Sequence, residues 1–148
     1  MRKKDIGIDQ KIKKIFLAGI IQGSNKGKVL YNQSYRKRIK SILKKYLPET
    51  KIIDPVELHP KSAYYDSKKA KKVFYQSVKQ CLCSDLIIAY IPEASMGTAI
   101  EMWECFKNKI PVWTISTLKE NWAIKFLSKK NFLSFDELET YLKNNLKT

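Results

Sequence analysis

The stretch Ser84-Asp85-Leu86-Ile87-Ile88-Ala89-Tyr90-Ile91-Pro92-Glu93-Ala94-Ser95-Met96-Gly97-Thr98-Ala99-Ile100-Glu101 runs an apolar strand into a turn of small residues and on into a helix. The run from Leu86 to Ile91 is apolar throughout, as a parallel strand buried on both faces requires, and Pro92 stops it. Ala99, Met102, Trp103 and Phe106 then recur at helical spacing. Gly97 lets a ligand approach the backbone, and the free N–H groups of a first helical turn suit a phosphate. Ser95 adds a neutral hydroxyl donor beside them. Glu101 stands in the first turns of the helix, close to whatever the turn binds. Thr98-x-x-Glu101 is also the spacing of a capping box, in which both side chains only satisfy backbone N–H groups. Spacing alone leaves the two roles open.

Outward from this segment, the same alternation repeats. Ile15-Phe16-Leu17-Ala18-Gly19 reads as a buried strand closed by glycine, followed by a polar loop from Gln22 to Lys28. Tyr35, Ile39, Ile42, Leu43 and Tyr46 predict an amphipathic helix that ends before Pro48. Lys51–Ile53 is a short second strand, and residues 54–67 read as a long irregular loop rich in Pro, His and Tyr. Ala70, Phe74, Val78 and Leu82 predict the next helix. Pro111–Ile115 is a fourth strand, Asn121–Leu127 a short helix and Phe132-Leu133 a fifth strand. Leu138, Leu142 and Leu146 belong to a closing helix. Strands alternating with helices predict a parallel five-stranded α/β sheet, flavodoxin- or Rossmann-like, in the order 2-1-3-4-5. One domain over residues 1–148 is expected, with 1–11 flexible. Ligands of such sheets sit beyond the carboxyl ends of the strands, where the glycines and polar residues of this chain gather.

The chain has 148 residues and a formal charge of +15. Residues 1–72 carry 20 bases against 6 acids, whereas residues 73–148 are nearly neutral with 9 against 8. Such asymmetry points to a polyanion or an anionic small molecule. The clusters Arg36-Lys37-Arg38 and Lys68-Lys69-Ala70-Lys71-Lys72 read as solvated helix faces. Nucleic acid is thus possible from charge but unlikely, because no binding motif accompanies it. Cys81, Cys83 and Cys105 lack metal-ligand spacing and read as reduced, partly buried thiols, so neither metal nor cofactor is implied. No apolar run is long enough to cross a bilayer, and the segment after the basic N-terminus is too short for a signal peptide. A cytoplasmic protein is expected.

From Ile15 to Asn121 the chain resembles the nucleoside 2-deoxyribosyltransferase superfamily, in the glycine closing the first strand, the Asp opening the third, and Gly97-x-x-x-Glu101 on the next helix. The resemblance implies that Glu101 is the nucleophile. It attacks the anomeric carbon, expels the base and leaves a glycosyl ester that water or a second base resolves, the logic of retaining glycosidases. Transferases of free nucleosides usually carry Asp six residues before the nucleophile, gripping the 5′-hydroxyl. Here Ser95 holds that place, and serine can donate to a 5′-phosphate. The motif is therefore closest to the 2′-deoxynucleoside 5′-phosphate N-hydrolases. The substrate-binding set implied is Phe16, Gly19, Gly23, Ser24, Asp54, Ser95, Gly97, Thr98 and Asn121, with Lys26 also able to face a phosphate.

The N-hydrolases place an Asp eight residues before the strand-opening Asp to assist proton transfer. This chain has Ser77 there. Asp54, His59 and Asp66 are the stand-ins from the long loop, with His59 and Asp66 the catalytic candidates. Asp85 reads as a cap on the sheet. The family implies a homodimer or larger oligomer, in which Asn121 or Ser116 of a neighbour closes the site, although Asn121 is equally a helix N-cap. Trp103, Trp113 and Trp122 are able to stack a base, with core roles expected for the first two. Gly97-Thr98-x-x-Glu101 also partly matches the phosphoribohydrolases that release cytokinins, but their preceding glycine pair is absent. Base exchange between nucleosides and a nucleotide-sensing domain without catalysis are the alternatives.

Overall fold

The computed structural model describes residues 12–146; the segment 1–11, expected to be flexible, lies outside the described residues. Five strands, β1 (Lys14–Gly19), β2 (Lys51–Ile53), β3 (Leu86–Tyr90), β4 (Val112–Ile115) and β5 (Lys130–Phe132), form one sheet. Every pairing is parallel and the order is β2-β1-β3-β4-β5, as the alternation of elements predicts. The helices are α1 (Ser34–Tyr46), α2 (Pro55–Leu58), α3 (Ser67–Leu82), α4 (Met96–Lys107), α5 (Trp122–Leu127) and α6 (Phe135–Asn145).

Side chains alternate across the pleat, so each strand feeds two cores. Ile15, Leu17, Leu86, Ile88, Trp113 and Ile115 pack under α1 and α6, against Ile39, Leu43, Leu138 and Leu142. Phe16, Ala18, Ile87, Ala89 and Val112 face the other way, toward Cys81, Met102, Cys105 and Ile124 of α3, α4 and α5. Cys81 and Cys105 are buried free thiols and Cys83 is exposed. Asp85 has the capping role expected of it: Oδ2 accepts from the N–H groups of Lys13 and Lys14, both at 2.9 Å, and ties the start of β1 to β3.

Three expectations change. Residues 54–66 are not irregular: Asp54 accepts from Val56 N–H as the cap of α2, with Pro55 preset for the first helical position, and Ser62–Tyr64 adds a 3₁₀ turn. Arg36 is not on a solvated face but 3% exposed. It lies on the same stripe of α1 as Tyr35, Ile39 and Leu43, and its partner Asp54 comes from the end of β2. Trp103 is not a core residue. It stacks on Phe106 along an outer face of α4 that also leaves Ile100 and Met96 uncovered; Trp122 and Phe126 of α5 are exposed as well. Trp113 is buried as expected.

Candidate active site

The carboxyl ends of β1, β2 and β3 open on a cleft of about 450 Å³, within the usual range of roughly 300–1,000 Å³ for small-molecule sites. Its walls come from four places: the loop after β1, the segment after β2, the first half of α3, and the start of α4.

The α4 wall carries Ser95, Gly97, Thr98 and Glu101. Ser95 is the N-cap, but its side chain makes no bond to the helix backbone. Its Oγ lies 2.9 Å from Thr98 Oγ1 instead. Thr98 and Glu101 do not form the capping box that their spacing allows, because the helix begins at Met96 and places both beyond the cap position. Among the described residues, the N–H groups of Met96, Gly97 and Thr98 meet no protein acceptor. Ser95, Met96, Gly97 and Thr98 all line the cleft, so this uncapped turn faces it.

Glu101 follows one turn further along. Its side chain is partly buried and lines the cleft, with no hydrogen bond or ion pair to its carboxylate among the described residues. Burial pushes its carboxyl up to about 7, and the positive charge of Arg36 opposes that rise. A carboxylate held poorly solvated, beside unfilled N–H donors and without a partner, is suited to meeting positive charge that a ligand develops.

Arg36 braces the floor. Its guanidinium donates to the carbonyls of Leu17 (3.1 Å) and Gly19 (3.4 Å), to Gln33 Oε1 (2.8 Å) and to Asp54 Oδ1 (3.0 Å). Lys40 Nζ closes on Asp54 Oδ2 at 2.7 Å and on Glu57 at the same distance. Gly19 is packed so tightly that a Cβ there would lie 2.6 Å from Tyr35 Oη, which itself donates to Ile20 O. Burial raises the Tyr35 phenol above its ordinary value.

The structure brings Glu101, His59, Gly19, Gly23, Ser95, Gly97 and Thr98 together around the cleft, and Ser77 with them. The other candidates stand elsewhere. Phe16 is fully buried in the core between the sheet and α3–α5 and cannot reach a ligand. Asp54 is 3% exposed and spent on Arg36, Lys40 and the cap of α2. Asp66 caps α3 through Lys69 N–H at 2.8 Å. Asn121 caps α5 through Ala123 N–H, and Ser116 is buried on Ile91 O. Ser24 and Lys26 are exposed in the loop after β1, off the lining. None of the three tryptophans lines the cleft; Tyr65 and Phe74 supply its aromatic surface, and the sequence reading missed both. Their signal was present, in a loop marked by Tyr and in the spacing of α3, but helical spacing reads first as core. Among the described residues no Lys or Arg lines the cleft. Among the described residues no cluster of His, Cys, Asp and Glu has the makings of a metal site, and no helix is long and apolar enough to cross a membrane.

Gly97 gives a direct test of the α4 wall. A Cβ built there meets nothing within 4 Å, so the protein itself leaves the space open. Gly97→Ala is expected to keep or slightly raise the melting temperature, since alanine favours helix by up to ~1 kcal/mol. The added methyl should weaken an anionic probe such as a nucleoside monophosphate by about 1–3 kcal/mol. Thermal melts and ligand titration read the two effects separately; unchanged affinity would remove α4 from the binding surface.

No protein-family model matches the sequence, and no curated protein matches it. Solved structures do share the fold. A conserved protein from Enterococcus faecalis V583 is similar at 22% identity and a TM-score of 0.60, over 91% of this chain and 99% of that one. BlsM is similar at 11% identity and a TM-score of 0.62, over 92% and 90%. A 2-deoxyribosyltransferase from Bacillus psychrosaccharolyticus is similar at 19% identity and a TM-score of 0.67, over 86% and 91%, so this chain has the fold on which that transferase is built.

Proposed function

We propose that residues 12–146 form one deoxyribosyltransferase-like domain that cleaves the base–sugar bond of (deoxy)nucleoside 5′-monophosphates in the cytoplasm, through a glycosyl ester on Glu101. The observation that carries this reading is the Glu101 carboxylate, without a hydrogen-bond or ion-pair partner among the described residues, in a cleft whose adjoining helix start is uncapped. Its logic runs through charge. The anomeric carbon becomes positive as the base departs, and a nearby carboxylate first stabilises and then captures it. The phosphate is held by neutral donors, namely Ser95 Oγ and the N–H groups of Gly97 and Thr98, with the helix dipole behind them. Phe74 and Tyr65 offer faces for the base.

The transferase among the structural neighbours favours a second reading, exchange of one base for another. Self-association belongs to the proposal as well. The uncovered apolar face of α4 runs to the cleft at Met96, and a second copy seated there would close it.

The test is a panel of ribo- and deoxynucleosides and their 5′-monophosphates, read for free base by chromatography. Release from monophosphates and not from nucleosides is expected. Base exchange without net release would move the assignment to transferase, and binding without either would make the domain a sensor.

A further inference from the structure

The segment after β2 brings a second proton-carrying group to the cleft. His59 and Tyr65 both line it, with His59 Nδ1 3.2 Å from Tyr65 Oη and the two rings edge-on at 5.9 Å. Lys69 Nζ sits over the Tyr65 ring, 4.0 Å from its centroid. The two acids of the same segment are committed elsewhere, Asp54 to Arg36 and Lys40 and Asp66 to the cap of α3. Ser77, which lines the cleft from α3, carries no ionisable group. Among the lining residues, therefore, one carboxylate and one imidazole are available for proton and covalent chemistry.

We propose that His59, oriented by Tyr65, is the acid–base residue of the reaction and does the work of a second carboxylate. The inference rests on the reading of Glu101 as nucleophile. In the first half-reaction a Glu101 oxygen bonds to the anomeric carbon as the carbon–nitrogen bond breaks. The electron pair leaves with the base, and protonated His59 gives the Nε2 proton to that nitrogen. In the second half, water attacks the anomeric carbon and the ester bond to Glu101 breaks. His59 takes the proton that water loses, which restores both imidazolium and carboxylate. Throughout, Nδ1–H donates to Tyr65 Oη, so Nε2 remains the nitrogen that exchanges its proton. Tyr65 is thus a positioning residue and His59 a catalytic one.

The experiment compares two leaving groups. One substrate is the monophosphate cleaved fastest in the panel; the other is the 4-nitrophenyl glycoside of the same sugar 5-phosphate, whose leaving group departs without a proton. His59→Ala is expected to lower the rate on the natural monophosphate by roughly 10²–10⁴-fold. It should leave formation of nitrophenolate close to the parent rate when a strong added nucleophile, azide, resolves the ester. Added imidazole should restore part of the lost activity. Tyr65→Phe should lose less, and in kcat rather than in KM. His59→Gln, closer in size, serves if the alanine variant does not fold. Equal losses on both substrates would make His59 a binding or structural residue, and no loss on either would remove it from the reaction; each overturns the proposal. Failure of the Glu101 reading looks different, because Glu101→Gln would then cleave both substrates like the parent. A parent that cleaves neither substrate would overturn both readings together.

Discussion

Replacing Glu101 by glutamine is expected to abolish base release and, in the same variant, to stabilise the protein at alkaline pH. On the proposed reading the first effect follows from loss of the nucleophile, on the order of 10⁴–10⁶ in kcat by the scale seen when covalent catalytic residues are removed. The second follows from burial. The carboxyl is pushed up from 4.5 to about 7 in the folded chain, so folding retains a proton that the unfolded chain releases. Below pH 4.5 the group is protonated in both states and costs nothing. Between 4.5 and about 7 the cost grows as pH rises. Above that it is complete, at about 3 kcal/mol for a shift of this size. Glutamine carries no such cost. Urea melts should therefore show Glu101→Gln and the parent alike near pH 4 and the variant more stable at pH 8.5. A variant equally or less stable at pH 8.5 would show that the carboxylate is better solvated or paired than its surroundings indicate. If Glu101 is the nucleophile proposed above, the same ionisation should set the acid limb of the parent's rate profile near pH 7, because only the carboxylate can attack.

The second large effect is in the brace beneath the site. Asp54→Ala is expected to cost about 3–5 kcal/mol, since it strands the Arg36 guanidinium in a place where the pair's side chains are 4% and 2% exposed. It also removes the cap of α2, worth about another 1 kcal/mol. Out of a total stability of roughly 5–15 kcal/mol, that displaces the urea midpoint plainly. The double variant Arg36→Met, Asp54→Leu should cost much less than the two single losses added together, because no charge is left unpaired. It should still lose activity. Without the guanidinium, nothing ties the carbonyls of Leu17 and Gly19 to α1, and Glu101 loses the positive charge that holds its carboxyl down. The acid limb of any remaining activity should move to higher pH. Additive losses in the double variant would show that Arg36 and Asp54 act independently.

What the sequence shows of this molecule is what lies within one segment. Ser95, Gly97 and Glu101 fall on a single strand–turn–helix unit, so their meeting at the cleft follows from local geometry. The strand order follows equally from apolar runs separated by helices. What escapes is set by pairs far apart in the chain. Arg36 sits between two other bases and reads as solvated, yet Asp54, 18 residues away, gives its charge a place inside. His59 and Tyr65 meet only because α2 and a 3₁₀ turn fold the segment that carries them. β5 begins at Lys130, earlier than its apolar residues indicate, because Asn131 finds partners in Thr114 and Ser116. Trp103 shows the opposite failure. Its spacing is that of a core residue, but α4 is apolar on more than the one side the sheet can cover.

Among the described residues the lining of the cleft holds no Lys or Arg, while Lys26, Lys28, Lys61, Lys68 and Lys69 stand exposed on the segments that form its rim. Such charge acts on a ligand before it arrives. It raises the local concentration of anions at the mouth and speeds encounter, an effect that salt erodes within a Debye length of about 10 Å. On the proposed reading, the contacts that would hold a seated phosphate, from Ser95 and the first N–H groups of α4, are neutral. Ionic strength should then govern how often the site is filled and scarcely touch how long it stays so.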